Sequence, residues 1–242
     1  QIHEEQREDY RAALEVNALL LAEDAEDPLT VGEMERLAKV AGAEVRLAEL
    51  FAAQIGDVEP ETDATFALRR RAGEIFAANR RPKEALVLLQ KALEFAPESD
   101  DLFETVDRVL VEVGTDEQRV EHYRKGLEHR FEPEDRVRFL QVIAELEEKK
   151  LGHVDEAILA HRDVLETEEQ NVASLEALAR LYEKTKRHED LAELYQRRAE
   201  ALDPTAAAPF RLALAVLLEN ELGRPEAALD QLEEIVRDLP TH

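Results

Sequence analysis

Between Asp63 and Ser99 the apolar residues fall at three- and four-residue intervals in two separate runs. Leu68, Ala72, Ile75 and Phe76 share one helical face, Asn79-Arg80-Arg81-Pro82 breaks it, and Ala85, Leu86, Leu89, Ala92 and Leu93 form a second stripe that Pro97 stops. This pattern predicts an antiparallel helix hairpin, and it recurs. A unit over about Asp100 to Pro133 carries Phe103, Val106, Leu110 and Val113, then Gly114, a Thr115/Gln118 capping box, and Val120, Tyr123 and Leu127. A third starts at Pro133, a good first helical residue, and uses Val137, Leu140, Ala144 and Leu151, the Gly152 turn, then Ala157, Ile158 and Leu165. A fourth has Leu175, Leu178, Ala179 and Tyr182 facing Leu191, Ala192, Tyr195 and Ala199. A fifth has Phe210, Leu214, Ala215 and Leu218 facing Ala228, Leu232 and Ile235, with a stop at Pro240.

Two columns of compact residues run through these units. Ala85, Val120, Ala157, Ala192 and Ala228 are separated by 35, 37, 35 and 36 positions, and Gly73, Ala144, Ala179 and Ala215 by 71, 35 and 36. A recurrence of this length in helix-forming sequence predicts stacked helix hairpins. A Gly or Ala on the first helix facing an Ala on the second lets the axes approach closely, while Leu, Phe and Tyr fill the grooves on either side. In the unit from Asp100 the small residue of the first helix is replaced by Asp107 or Arg108, so that repeat is degenerate.

Residues 1–62 are less regular and are read as degenerate N-terminal repeats, with 63–242 as the tandem array. Tyr10 to Glu15 echoes Tyr123 to Glu128 and His161 to Glu166, which predicts a second-type helix from about His3 to Ala22. Its first-helix partner is missing, so the chain is expected to begin inside an array, with Tyr10, Leu14, Leu20 and Leu21 exposed. After a break at Glu26-Asp27-Pro28, Thr30 and Glu33 are expected to form a capping box, and Gly42 to turn the chain into a helix through Val45, Leu47, Leu50 and Phe51.

The composition is consistent with exposed helices: 36% of the 242 residues are charged and 5% aromatic. Acidic residues outnumber basic ones by 56 to 31, giving a formal charge of −25, a field that repels phosphate backbones and anionic lipid. Nucleic acid and membrane insertion are therefore not expected, and the Leu19-Leu20-Leu21 run is far short of a bilayer span of about 20 residues. Cysteine is absent, which excludes thiolate chemistry. With Gln1 first and no charged-then-apolar leader, the chain reads as a piece or processed product, and the cytoplasm is the default compartment.

Candidate chemistry is sparse. His122 and His129, and His153 and His161, could each share a helix face or straddle a hairpin, but no pair has the four-residue metal spacing on a helix, so no metal or cofactor is assigned. Ser99 and Ser174 sit at or near helix starts, as caps rather than nucleophiles. The runs Glu4-Glu5, Glu147-Glu148 and Glu168-Glu169 read as solvated faces rather than acid–base pairs, and no catalytic residue is assigned. The basic clusters Arg69-Arg70-Arg71, Arg80-Arg81, Lys149-Lys150 and Lys184 to Arg187 lack interleaved aromatics and are expected to form ion pairs within and between repeats.

The pattern Ala72, Gly73, Phe76, Ala85, Leu89, Ala92, Pro97 resembles the tetratricopeptide repeat family. The likeness covers about Asp63 to Pro240 well and the first 62 residues loosely. It departs in having Arg69 where an early aromatic is usual, no tryptophan, a period drifting to 36 and 37, and the degenerate second unit; these departures favour a divergent array closer to half-a-TPR or Sel1-like relatives, while the period argues for tetratricopeptide-like stacking. The resemblance implies an all-α, right-handed superhelix of about five or six antiparallel hairpins whose first helices line a concave, partner-binding groove. Carried over residue by residue, that groove would hold Arg70, Glu74, Gln141, Glu145, Glu148, Glu176, Arg180, Glu183 and Glu219. The paired lysines and asparagines that clamp a free carboxylate in some members are missing there. The expected function is a noncatalytic scaffold whose mainly acidic groove takes a basic peptide or protein. The alternative is a structural spacer or self-associating segment of a longer array, pairing through exposed ends.

Overall fold

The computed structural model describes residues 2–23, 27–56 and 62–239. The described residues form α-helices and one π-helical segment and contain no strand. The chain divides into two compact units, residues 1–130 and 131–242.

The first unit holds α1 (Ile2–Glu23), α2 (Pro28–Ala41), α3 (Glu44–Ile55), α4 (Asp63–Ala78), α5 (Pro82–Phe95), α6 (Asp100–Val113) and α7 (Asp116–Leu127). Each helix packs on its neighbour in the chain, and α1 also touches α3. One apolar cluster runs from α1 to α6. The second unit holds α8 (Pro133–Glu145), which continues into the π segment Leu146–Leu151, then α9 (Val154–Thr167), α10 (Val172–Thr185), α11 (His188–Ala201), α12 (Pro204–Asn220) and α13 (Pro225–Asp238). These too pack in sequence, around a core that runs from α9 to α13. The division falls inside the span 63–242, while α4 packs directly on α3 across the boundary at 62.

Local sequence sets the ends of these helices. Pro28, Pro82, Pro133, Pro204 and Pro225 each occupy an opening position, where the missing N–H costs nothing. The Thr115/Gln118 box forms as expected: the Gln118 N–H donates to Thr115 Oγ1 (3.3 Å) and the Thr115 N–H to Gln118 Oε1 (2.9 Å). The box expected at Thr30 and Glu33 does not form. Asp27 caps α2 instead, accepting from the N–H groups of Leu29 and Thr30 at 3.1 Å, and Glu33 pairs with Arg36 one turn on. Gly42 closes α2 in the left-handed region (φ 60°), where a side chain would be strained. The expected stop at Pro240 lies outside the described residues, as does Glu26.

The compact columns lie at the hairpin seams and are buried except at Ala179, which is half-buried. Ala85, Ala144 and Ala157 are fully buried, and Val120, Ala192, Ala215 and Ala228 nearly so. The approach at Gly73 is too close for a side chain: a Cβ would lie 2.6 Å from Leu89 Cγ, 2.8 Å from Leu89 Cδ2 and 3.5 Å from the Ala85 carbonyl oxygen. The degenerate hairpin α6/α7 replaces this contact with a polar one. Arg119 donates from Nε and Nη2 to the Asp107 carboxylate (3.0 and 3.2 Å), and the Tyr123 hydroxyl donates to the same group. Beside it the buried His122 ring stacks on Phe103 at 3.8 Å and its Nε2–H donates to the Phe103 carbonyl (3.1 Å). Arg130 closes the unit with its guanidinium bonded to Pro97 O (3.0 Å) and paired with Asp100 (2.8 Å).

The expectation that α1 would expose Tyr10, Leu14, Leu20 and Leu21 is corrected. Leu14 and Leu21 are fully buried and Tyr10 is half-buried in the same cluster, because α2 and α3 cover the face that would have met a preceding helix; Leu20 is exposed, beside Val16 and Leu19.

Two outcomes follow from this packing. Gly73→Ala should raise helix propensity by about 1 kcal/mol yet lower stability overall, because overpacking against Leu89 costs ~1–3 kcal/mol. Urea denaturation of Gly73→Ala, Leu89→Ala and the double variant should show a favourable coupling; additive losses would remove the steric account. His122 should make stability depend on pH. Burial pushes its imidazole down to about 4, against small opposing contributions from the Phe103 carbonyl and Asp107. Between pH 6.5 and 4 the unfolded chain then binds more protons than the folded one, so stability is full above the unfolded value and falls as the medium is acidified, by ~2 kcal/mol from pH 7 to 5. His161, also depressed by burial, adds in the same direction. The urea midpoint of His122→Phe should fall less steeply over that range; an unchanged slope would acquit His122.

Candidate partner-binding face

The expected groove residues fall in both units. Arg70 and Glu74 lie on α4 in the first; Gln141, Glu145, Glu148, Glu176, Arg180, Glu183 and Glu219 lie on α8, the π segment, α10 and α12 in the second.

On α4 both residues are half-buried and engaged. Arg70 Nε donates to Glu74 Oε1 (2.8 Å), and its Nη2 donates to Asp101 on α6. Arg71 donates to Glu35 on α2 (2.6 Å). The result is a chain of charges, Glu35–Arg71–Glu74–Arg70–Asp101, that ties three consecutive first helices together.

In the second unit, Arg180 grips Glu148 through both guanidinium Nη atoms and holds its carboxyl below the usual carboxylate range. Gln141 Nε2 donates to Asn171 Oδ1 (3.3 Å), and Asn171 caps α10 through the Ser174 N–H (3.0 Å). Glu145 pairs with Lys149 one turn on (3.0 Å). Glu176, Glu183 and Glu219 are exposed and form no ion pair among the described residues. Three carboxylates on α10 and α12 are thus left unneutralised.

The arginines Arg70, Arg71, Arg81 and Arg187 of the basic clusters are engaged within the array, and Lys149 pairs one turn back with Glu145. Arg81, Arg187 and Arg224 stand at the N-cap positions of α5, α11 and α13, and each reaches an acid on the second helix of the preceding hairpin: Glu49 (2.7 Å), Asp155 and Glu189 (2.7 Å). Arg46 likewise crosses from α3 to Glu15 on α1 (2.6 Å). These partners are separated by 31 to 35 residues, about one repeat.

The Glu147-Glu148 pair is not the solvated face expected of it. The π segment buries Glu147, which accepts from His153 Nδ1–H (2.9 Å), while the His153 N–H donates to the Glu147 carbonyl (2.8 Å). In a π turn the hydrogen bond spans i to i+5 instead of i to i+4, so the inward-facing position shifts by one residue. Ser174 and His161 come together at 3.1 Å, a nucleophile–base distance. Ser174 is fully buried at the α9/α10 seam, so no substrate reaches its hydroxyl, and the bond joins two repeats. Glu4-Glu5 lie outside the described side chains. No three His, Cys, Asp or Glu side chains converge among the described residues, and no described helix is long and apolar enough to cross a membrane.

Two apolar residues occupy the equivalent positions of the next repeat. Leu212 and Val216 of α12 stand 36 positions after Glu176 and Arg180, as Glu219 stands 36 after Glu183. Both are exposed, at 52% and 51%. The offset of 36 residues is the sequence signal that marks them; the carried-over groove residues are all polar or charged.

No protein-family model and no curated protein matches the chain. Solved structures with a similar backbone include the C-terminal part of a tetratricopeptide repeat-containing protein from Cytophaga hutchinsonii. It is 14% identical and covers 99% of this chain and 93% of its own, with a TM-score of 0.40. A putative kinesin light chain with nearly identical TPR-like repeats from Podosopora anserina is 17% identical, covers 79% and 93%, and scores 0.40. YrrB, described as a TPR protein with an unusual peptide-binding site, is 15% identical, covers 81% and 95%, and scores 0.38. By its own hairpin period, buried compact columns and helix-by-helix stacking, the fold is a divergent tetratricopeptide-like array.

Proposed function

We propose that the chain is a noncatalytic protein-interaction scaffold whose second unit presents an acidic first-helix face to a basic peptide or to the basic surface of a folded partner. One observation supports this most directly. Arg46, Arg70, Arg71, Arg81, Arg180, Arg187 and Arg224 bridge neighbouring repeats, while Glu176, Glu183 and Glu219 on adjacent first helices remain exposed and unpaired. Unneutralised carboxylates on one face attract cationic ligands and speed their encounter.

A second reading, self-association, is favoured by a separate feature. Leu229, Leu232 and Val236 form an i, i+3, i+7 stripe on α13, exposed at 56%, 39% and 66%. A stripe of this spacing packs well against another helix.

Charge reversal separates the first reading from general acidity. Binding of a fluorescein-labelled arginine-rich peptide to the double variant Glu176→Lys/Glu183→Lys should weaken about tenfold and lose part of its salt dependence. Glu226→Lys/Asp230→Lys on α13, with the same change in net charge, should bind almost as the parent does. Equal losses in both variants would take the acidic face out of the reading. For the second reading, sedimentation velocity should show a concentration-dependent dimer that Leu229→Ser/Val236→Ser abolishes; a monomer at every concentration would dismiss it.

A further inference from the structure

We infer that the partner of this face carries a bulky apolar side chain beside its basic residues, and that Leu212 and Val216 form the subsite that takes it. The inference rests on the acidic-face reading above and adds the second half of the recognition.

Isolated exposed aliphatics are ordinary on a protein surface. Leu212 and Val216 are not isolated. They stand one turn apart on α12, and Glu219 follows at i+7 from Leu212, so the three side chains share one helix face. The same repeat positions hold Glu176, Arg180 and Glu183 on α10, and Gln141 and Glu145 on α8 with Glu148 on the π segment that continues it. The face is therefore polar through two repeats and becomes apolar in the third at two positions, while the third position keeps its carboxylate. Both apolar residues lie outside the buried stripe of α12, which runs through Ala207, Ala208, Leu214, Ala215, Leu217 and Leu218.

Charge complementarity fixes the occupant. The free carboxylates Glu219, Glu183 and Glu176 select arginine or lysine, and the adjoining aliphatic pair selects a leucine, phenylalanine or comparable side chain. Along a helix axis Val216 and Glu219 are separated by about 4.5 Å, and Leu212 and Glu219 by about 10 Å. An extended peptide advances about 3.3 Å per residue. The apolar anchor should therefore lie within about three residues of a basic one. Burying such an anchor against two aliphatic side chains is worth at least tenfold in affinity.

The test is selection from a displayed random dodecapeptide library on the intact chain, followed by fluorescence polarisation with the enriched peptides. Enriched sequences should pair Arg or Lys with a large apolar residue one to three positions away. Replacing that residue by Ser should weaken binding at least tenfold on the parent and little on Leu212→Ser/Val216→Ser. Both substituted positions are half-exposed, and circular dichroism melting of the variant should match the parent. Enriched peptides that depend on Glu176 and Glu183 but bind equally well to Leu212→Ser/Val216→Ser would overturn the apolar subsite and leave the acidic face standing. Enrichment of peptides indifferent to both sets of substitutions, or no enrichment, would overturn both.

Discussion

The close approach of two helix axes at the compact columns is the constraint on which the fold depends. At Gly73 the space for even one methyl group is taken by Leu89, and Ala85, Ala144 and Ala157 are fully buried in the seams. Helices held that near leave grooves that Leu, Phe and Tyr side chains fill, and each hairpin then exposes a surface that only the next hairpin can bury. Each described helix accordingly packs on its neighbours in the chain within a unit. The hairpin α6/α7 shows the constraint by exception. Without the small residue, the seam is closed by Asp107, Arg119, Tyr123 and a buried neutral histidine, a solution that holds the helices by hydrogen bonds and makes the site sensitive to acid.

Electrostatics work at the next level. A chain of formal charge −25 stacks helix on helix, and like charges on adjacent repeats would oppose the stack. Arginines placed about one repeat from their acids relieve this locally. Most of these bridges are solvent-exposed, so each contributes at most about 1 kcal/mol. Their larger effect is on register: an arginine at the N-cap of α5, α11 or α13 finds its acid only when the preceding hairpin sits at the right height. The charge left over after this pairing is negative, and in the second unit part of it collects on first helices.

Much of this order is legible in the residues. Prolines at helix starts, Gly42 and Gly152 at turns, and the Thr115/Gln118 box mark boundaries because each acts through its own backbone geometry, whatever its neighbours. Local sequence does not decide the outcome where it depends on competition or on tertiary cover. At the start of α2, Asp27 and Thr30 are both competent caps; with Pro28 fixed at the opening position, Asp27 takes the free N–H groups. On α1, Leu14 and Leu21 are buried by α2 and α3, which no local period announces. Glu147 is buried because a π turn shifts the face by a residue, and an i, i+4 reading carries the wrong residue inward. Pairing of Arg70 with Asp101, or Arg180 with Glu148, needs the height of neighbouring helices, so the free carboxylates could be separated from the engaged ones only in three dimensions.

Positional equivalence offers a way to tell structure from function in such an array. A column that keeps its character from repeat to repeat answers a packing demand, as the buried alanines do. A column that changes character while buried, as at Asp107, marks a repair, because the partners that satisfy it lie in the same seam. A column that changes character while exposed has no such partner within the fold. Leu212 and Val216 are of this third kind: solvent imposes no demand for aliphatic side chains there, and the hairpin buries its apolar stripe elsewhere on the helix. Exposed aliphatic area costs free energy in water, and a second surface that covers it recovers that cost. The chemistry that distinguishes this array from a generic stack lies where the repeat is free to vary and does, on the face of α12 that also carries Glu219.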